Sequence, residues 1–197
     1  MKIINSTIVS KLKFVTLFAI KYLDKKGTLK SWDMVSRKNQ PKCIVHGNRQ
    51  PDAAIIVPYH SKEDKLVVIR EYRVPVGDYI YEFPAGLIDP GEDPAFAACR
   101  ELHEETGLNM VSMYRHSPAV YSSAGLTDEA VAMIFAEVTG TPSGKNNEDS
   151  EEIEIFLMDR EEVRGLLQRK GAIFGAKAWM AMDAYVLMGK EYLTGRE

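Results

Sequence analysis

Cysteine is scarce: Cys43 and Cys99 are the only two in 197 residues. That is too few for a disulfide-stapled scaffold and fits a reduced, cytoplasmic compartment. No apolar stretch approaches the ~20 residues a membrane helix needs, so no membrane association is expected. The run Phe14–Ile20 follows Lys11 and Lys13 but is short, meets Lys21 at once and lacks a small-residue cleavage site; it reads as a strand rather than a signal peptide. Basic residues are scattered rather than blocked, and a net charge of -3 gives no electrostatic case for a nucleic-acid partner. There is no internal repeat and no low-complexity tract.

What is present is enough apolar residue, 45% of the chain, to bury the core of one ordinary domain with some embellishment. Phe14–Leu23 and Thr28–Arg37 read as strands joined by the turn Asp24-Lys25-Lys26-Gly27, an N-terminal hairpin. A polar link, residues 38–51, leads to a second hairpin, Ala53–Tyr59 and Lys65–Tyr72, and then to a short strand, Tyr79–Phe83. Further strands are expected at Met110–Ser117, Ala130–Thr139 and Ile153–Leu157. Asp159 with Glu162 forms a capping box for a helix running to about Arg169, and a long apolar helix is expected over Ile173–Met188.

The most informative stretch is GLIDPGEDPAFAACRELHEETGL, residues 86–108. Asp93 suits a helix N-cap, Pro94 the first helical position and Gly107 a left-handed stop. Spacings of three and four stack Glu101, Glu104 and Glu105 on one face, while Ala95, Ala98 and Leu102 share a face that can pack inward. Cys99 lies in the same helix, and a buried thiol is expected there. Like charges at these spacings oppose one another by roughly 0.2–0.5 kcal/mol per pair. The cluster is therefore either a solvated acidic face or a site for a cation; carboxylate oxygens are hard donors suited to a small divalent ion.

Gly86, Glu92, Arg100, Glu101, Glu104, Glu105 and Gly107 fit G-x5-E-x7-R-E-U-x-E-E-x-G-U, with Leu102 and Leu108 at the aliphatic positions. This frame resembles an intact Nudix box. The resemblance implies an α/β/α sandwich with a mixed sheet spanning residues 49–197, preceded by a β-hairpin subdomain over residues 1–48. It also implies metal-dependent hydrolysis of a nucleoside diphosphate linked to another moiety. Outside the box, the runs Glu82-Phe83-Pro84-Ala85-Gly86-Leu87-Ile88-Asp89, Arg70-Glu71-Tyr72-Arg73 and Ser31-Trp32-Asp33-Met34-Val35-Ser36-Arg37 are similar to those of the ADP-ribose pyrophosphatase group.

That group implies a homodimer exchanging its N-terminal hairpins, with ADP-ribose cleaved to AMP and ribose 5-phosphate. The metal, magnesium or manganese, would be held by the carbonyl of Ala85 with Glu101 and Glu105, while Glu104 binds a further ion or shares the site. Arg100, and Glu92 with it, would orient a ligand carboxylate rather than touch substrate. Trp32 and Phe14 would stack on adenine; the other reading of Trp32 is a ring buried against its own domain. Arg37 and Arg73 would hold phosphates, against a reading as ordinary surface ion pairs, and Gly86 and Leu87 would line the substrate. Glu151 is the expected catalytic base, drawn from the acidic run Glu148–Glu152, with Glu152 as fallback and a merely solvated loop as the other reading. One position departs from the group: Ala124 stands where a proline is usual, which bears on sugar specificity and keeps GDP-mannose or UDP-sugar hydrolysis open. A non-catalytic ligand-sensing module is the alternative of another class.

Overall fold

The computed structural model describes residues 1–45, 49–147 and 151–195. In chain order the elements are β1 (Lys2–Lys11), β2 (Thr16–Leu23), β3 (Leu29–Ser36), β4 (Ala53–His60), β5 (Lys65–Arg73), β6 (Asp78–Glu82), β7 (Ala85–Leu87), α1 (Pro94–Thr106), β8 (Asn109–His116), β9 (Val120–Tyr121), β10 (Ala130–Thr139), β11 (Ile153–Met158), α2 (Arg160–Leu167), α3 (Ala176–Met188) and α4 (Lys190–Thr194). They fall into two compact units, Met1–Asp52 with Ala119–Val131, and Ala53–Pro118 with Ala132–Glu197. The domain boundary expected after residue 48 abuts residues 46–48, which lie outside the described residues.

In the first unit β2 pairs antiparallel with both β1 and β3. The β2–β3 turn closes because the Asp24 side chain accepts from the N–H groups of Lys26 and Thr28, at 2.8 and 2.9 Å, while Gly27 takes a positive φ. Phe18, Ile20 and Met34 make a small core, with Cys43 packed against it. The stretch Ala119–Val131 belongs to this unit through backbone bonds: Val35 N–H donates to the Leu126 carbonyl at 2.9 Å, and Asp52 N–H to that of Ala130 at 2.7 Å. The N-terminal hairpin is therefore a three-stranded sheet. Strand β1 escaped the sequence reading because it is exposed along nearly its whole length, leaving no one-sided apolar alternation to detect.

The second unit is organised by the sheet order β11-β5-β4-β10-β8, with β6 also on β5 and β7 on β4. Side-chain alternation sorts its two faces. Val57, Tyr59, Leu66, Val68 and Phe135 pack with α2 and α3 residues such as Val163, Leu166 and Met182. Ala54, Ile56, Val67, Ile134 and Ala136 pack with Ala97, Ala98 and Leu102 of α1. Helices thus cover both faces, the expected α/β/α sandwich. Helix α3 starts at Ala176 rather than Ile173 because the preceding backbone runs along β6: Tyr81 N–H donates to the Ile173 carbonyl at 2.8 Å and Gly175 N–H to that of Tyr81 at 3.0 Å.

Helix α1 ends as its sequence dictates. The Asp93 side chain accepts from Ala95 N–H at 2.8 Å, and Gly107, at φ 68, donates its N–H to the His103 carbonyl. Its buried stripe is Ala97, Ala98, Leu102, Glu105 and Thr106. Two expectations are corrected by this register. Ala97 rather than Ala95 completes the inward face, and Cys99 is exposed, not buried, because the buried stripe takes in Ala97 on one flank of Ala98 and leaves the other flank to solvent. Asp93→Ala is expected to lower stability by about 0.5–2 kcal/mol, measured by urea denaturation, since an orphan N–H loses its acceptor.

Candidate functional site

The carboxylates of α1 are placed by its packing. Leu102 and Ala98 fix the helix against the sheet, and the stripe that buries them also carries Glu105 inward, to 5% exposure. There its Oε2 accepts the Ala85 N–H at 3.1 Å. Burial drives the Glu105 carboxyl up to about 9; the Ala85 N–H opposes this, and Glu71, Glu101 and Glu151 reinforce it. Glu101 is raised as well, by burial first, with Arg100 opposing and Glu104 and Glu151 adding. Both shifts come first from burial, and the neighbouring carboxylates add to it.

Arg100 ties the box together. Its Nη1 donates to Glu101 Oε1 at 2.8 Å and to Glu104 Oε2 at 3.2 Å. Its Nε and Nη2 donate to Glu92 at 3.2 and 3.1 Å, and Nη2 also reaches the Leu87 carbonyl at 3.1 Å. Glu92 in turn accepts the Asp89 N–H at 2.9 Å. One planar guanidinium thus holds three box carboxylates, Glu92, Glu101 and Glu104, and the loop carrying Gly86. Gly86 is required by space: a Cβ built there would lie 1.8 Å from Glu101 Cδ.

Behind the helix lies a second cluster, on strands. Arg73 donates through Nη1 to Glu71 Oε1 at 2.9 Å and through Nε to Glu82 Oε2 at 2.6 Å. Burial works against the Arg73 charge, but Glu82 and Glu71 outweigh it and its pKa rises. Glu71 is itself pushed up, by burial first, against Arg73 and with Glu82 and Glu151. Sequence reasoning gave Glu71 and Glu82 no role. The signal was available, because Val67, Ile69 and Glu71 alternate onto one face of β5, and a glutamate continuing a buried apolar file needs a reason.

Glu151 and Glu152 part company. Glu152 accepts from the Tyr79 hydroxyl, on the side where Tyr81 packs with α3. Glu151 is within electrostatic reach of Glu71, Glu101 and Glu105. Glu148, Asp149 and Ser150 of the same acidic run lie outside the described residues.

In the first unit, Trp32 is 51% exposed and Phe14 68%. The Trp32 indole N–H donates to the Gly125 carbonyl at 3.0 Å. Beside it opens a cavity of about 620 Å³ lined by Ile20, Tyr22, Met34, Cys43 and Ala124 among others. Arg37 pairs with Glu129 at 2.9 Å.

The donors around α1 suit a small divalent cation: hard oxygens in excess of neighbouring positive charge, one of them, Glu71 Oε2, buried without a partner among the described residues. Among the described residues no three acidic, histidine or cysteine side chains are gathered round one point; Arg100 occupies Glu101 and Glu104, while Glu105 turns to Ala85. No helix among the described residues is long and apolar enough to cross a membrane.

The NUDIX domain model matches residues 49–181. An ADP-sugar pyrophosphatase of Mus musculus is 28% identical over 190 residues, 92% of this chain and 82% of that protein. An ADP-ribose pyrophosphatase of Saccharomyces cerevisiae is 33% identical over 156 residues, covering 76% and 66%; one of Bacillus subtilis is 31% identical over 131 residues, covering 66% and 70%. The crystal structure of an ADP compounds hydrolase aligns over 98% of this chain and 94% of that one, with a TM-score of 0.71 at 23% identity, a likeness of fold. The capped helix, the glycine pressed against its first glutamate and a family match over more than half of the chain agree: this protein belongs to the NUDIX family.

Proposed function

We propose that this Nudix hydrolase cleaves the diphosphate of ADP-ribose, giving AMP and ribose 5-phosphate. The observation that carries the reading is the approach of buried Glu105 to Ala85 and of Glu101 to Gly86, with Glu151 within electrostatic reach of both glutamates. The names of the relatives in mouse, yeast and Bacillus supply the substrate class.

In this reading Glu101, Glu105 and the Ala85 carbonyl hold a divalent ion, magnesium or manganese, with Glu104 beside them. Such an ion, when bound, neutralises the diphosphate and makes the attacking water more acidic. Glu151 would take the proton of the water that attacks phosphorus. Arg73, already fixed through Nε and Nη1, keeps further N–H donors for a phosphate oxygen. Arg100 orients Glu101 and Glu104 and tethers the loop at Leu87 that lines the substrate. Trp32 and Phe14, both exposed, offer ring faces for adenine, each worth ~1–3 kcal/mol when stacked, and Arg37 a phosphate contact. The N-terminal sheet serves a homodimer, and the two reduced cysteines fit a cytoplasmic enzyme.

A panel of ADP-ribose, GDP-mannose, UDP-glucose and diadenosine polyphosphates, assayed with magnesium, tests this. ADP-ribose is expected to show the highest kcat/KM. Because Ala124 replaces the usual proline, a GDP-mannose or UDP-sugar preference is the specific rival. No turnover of any member would leave a ligand-sensing module.

A further inference from the structure

Strand β5 sends alternate side chains to opposite faces of its sheet. Leu66 and Val68 go toward α2 and α3, and Val67 toward α1; Ile69, Glu71 and Arg73 continue the α1 side. The register agrees across both neighbours. Ile69 lies opposite Glu82 on β6. Glu71 lies opposite Ile153 on β11, whose file continues through Ile155 and Leu157 into the core beneath α1. Glu71 therefore points to the side from which Glu101 and Glu105 approach, and Glu151 precedes Ile153 by one alternation on that side.

Only 7% of Glu71 is exposed. Its Oε1 takes one arm of Arg73, but Arg73 is shared with Glu82. Its Oε2 is buried with no hydrogen-bond partner among the described residues, a state whose cost demands a counterpart. Apart from Arg73, the charged groups within electrostatic reach, Glu82, Glu105 and Glu151, add negative charge. A divalent cation is the partner that answers both the orphaned oxygen and the excess charge.

We propose that Glu71, which lies outside the box, contributes Oε2 to the donor set of the divalent cation held by Glu101 and Glu105. The proposal rests on the metal-dependent reading above and deepens it: the sheet, not the box helix alone, supplies part of the cation's oxygen shell. Arg73 then has two tasks, holding Glu71 in position and offering its remaining donors to phosphate.

The test is a titration with Mn2+ alone, without nucleotide, reading free ion by electron paramagnetic resonance on wild type, Glu71→Gln, Glu71→Asp and Glu105→Gln. Circular dichroism melting of each runs in parallel. Glu71→Gln keeps shape and the oxygen facing Arg73 but removes the charge. It is expected to weaken Mn2+ binding about 10–100-fold or to lose one ion from the stoichiometry, with little change in Tm. Glu71→Asp, which keeps the charge, is expected to bind better than the amide, and it carries the test if the amide fails to fold. A Glu71→Gln protein that melts and titrates like wild type, while Glu105→Gln loses Mn2+, overturns the role of Glu71 and leaves the metal reading intact. Wild type that takes up no Mn2+ overturns both.

Discussion

Glu151→Gln is expected to lower kcat for ADP-ribose by about 10²–10⁴-fold, the range for loss of a general base, while Glu152→Gln costs no more than a few-fold. The two residues are adjacent, so the contrast rests on which face each serves. Glu152 is engaged with the Tyr79 hydroxyl, on the face covered by α3. Glu151 is close enough to Glu71, Glu101 and Glu105 to disturb all three. Single-turnover kinetics would separate chemistry from product release, and Mn2+ affinity should survive in Glu151→Gln if its part is proton transfer. Equal losses in both variants would point to a loop whose overall charge matters rather than one base.

Gly86→Ala is expected to abolish most turnover while sparing the fold. The new methyl would fall 1.8 Å from Glu101 Cδ and 1.9 Å from its Oε1, so one of them must move. The side chain is the softer party, because its far end swings on rotatable bonds while the backbone at Gly86 is paired with Ala54 on β4. If Glu101 holds the ion as proposed, displacing its carboxylate is expected to lower kcat by roughly 10²–10³-fold, at about 1.4 kcal/mol per decade. Thermal denaturation is expected to shift by only a few degrees. A large fall in Tm with kcat retained in the folded fraction would show that the backbone, not Glu101, had yielded.

Helix α1 was legible residue by residue, because its instructions are local. Asp93, Pro94 and Gly107 act within one turn of where they stand, and the spacing of the glutamates follows from helical geometry. Strand β10 was equally plain, its apolar run matching Ala130–Thr139. What resisted depends on neighbours remote in sequence. Strand β7 is three residues long and exists because Ala53, Ala54 and Ile55 lie beside it. Cys99 was misjudged by one position in helical phase, which the sequence pattern alone does not fix. The burial of Glu71 depends on β6 and β11 closing over both edges of β5. The box carboxylates were recognised as a set, but their present engagement with Arg100 and Ala85 depends on rotamers no motif records.

The first unit draws its backbone from two stretches of chain far apart. Asp52 and Ala130, 78 positions from each other, exchange hydrogen bonds in both directions, and the Trp32 indole donates across 93 positions. Closing so long a span is entropically slow, which places completion of this small sheet late in folding. A fragment ending at residue 52 would leave the Asp52 amide and the Val35 N–H without acceptors, and Trp32 without its carbonyl anchor. This sheet is therefore not a detachable module: excised alone it would lack the segment that finishes it, and grafted onto another enzyme it would have to bring residues 119–131 along.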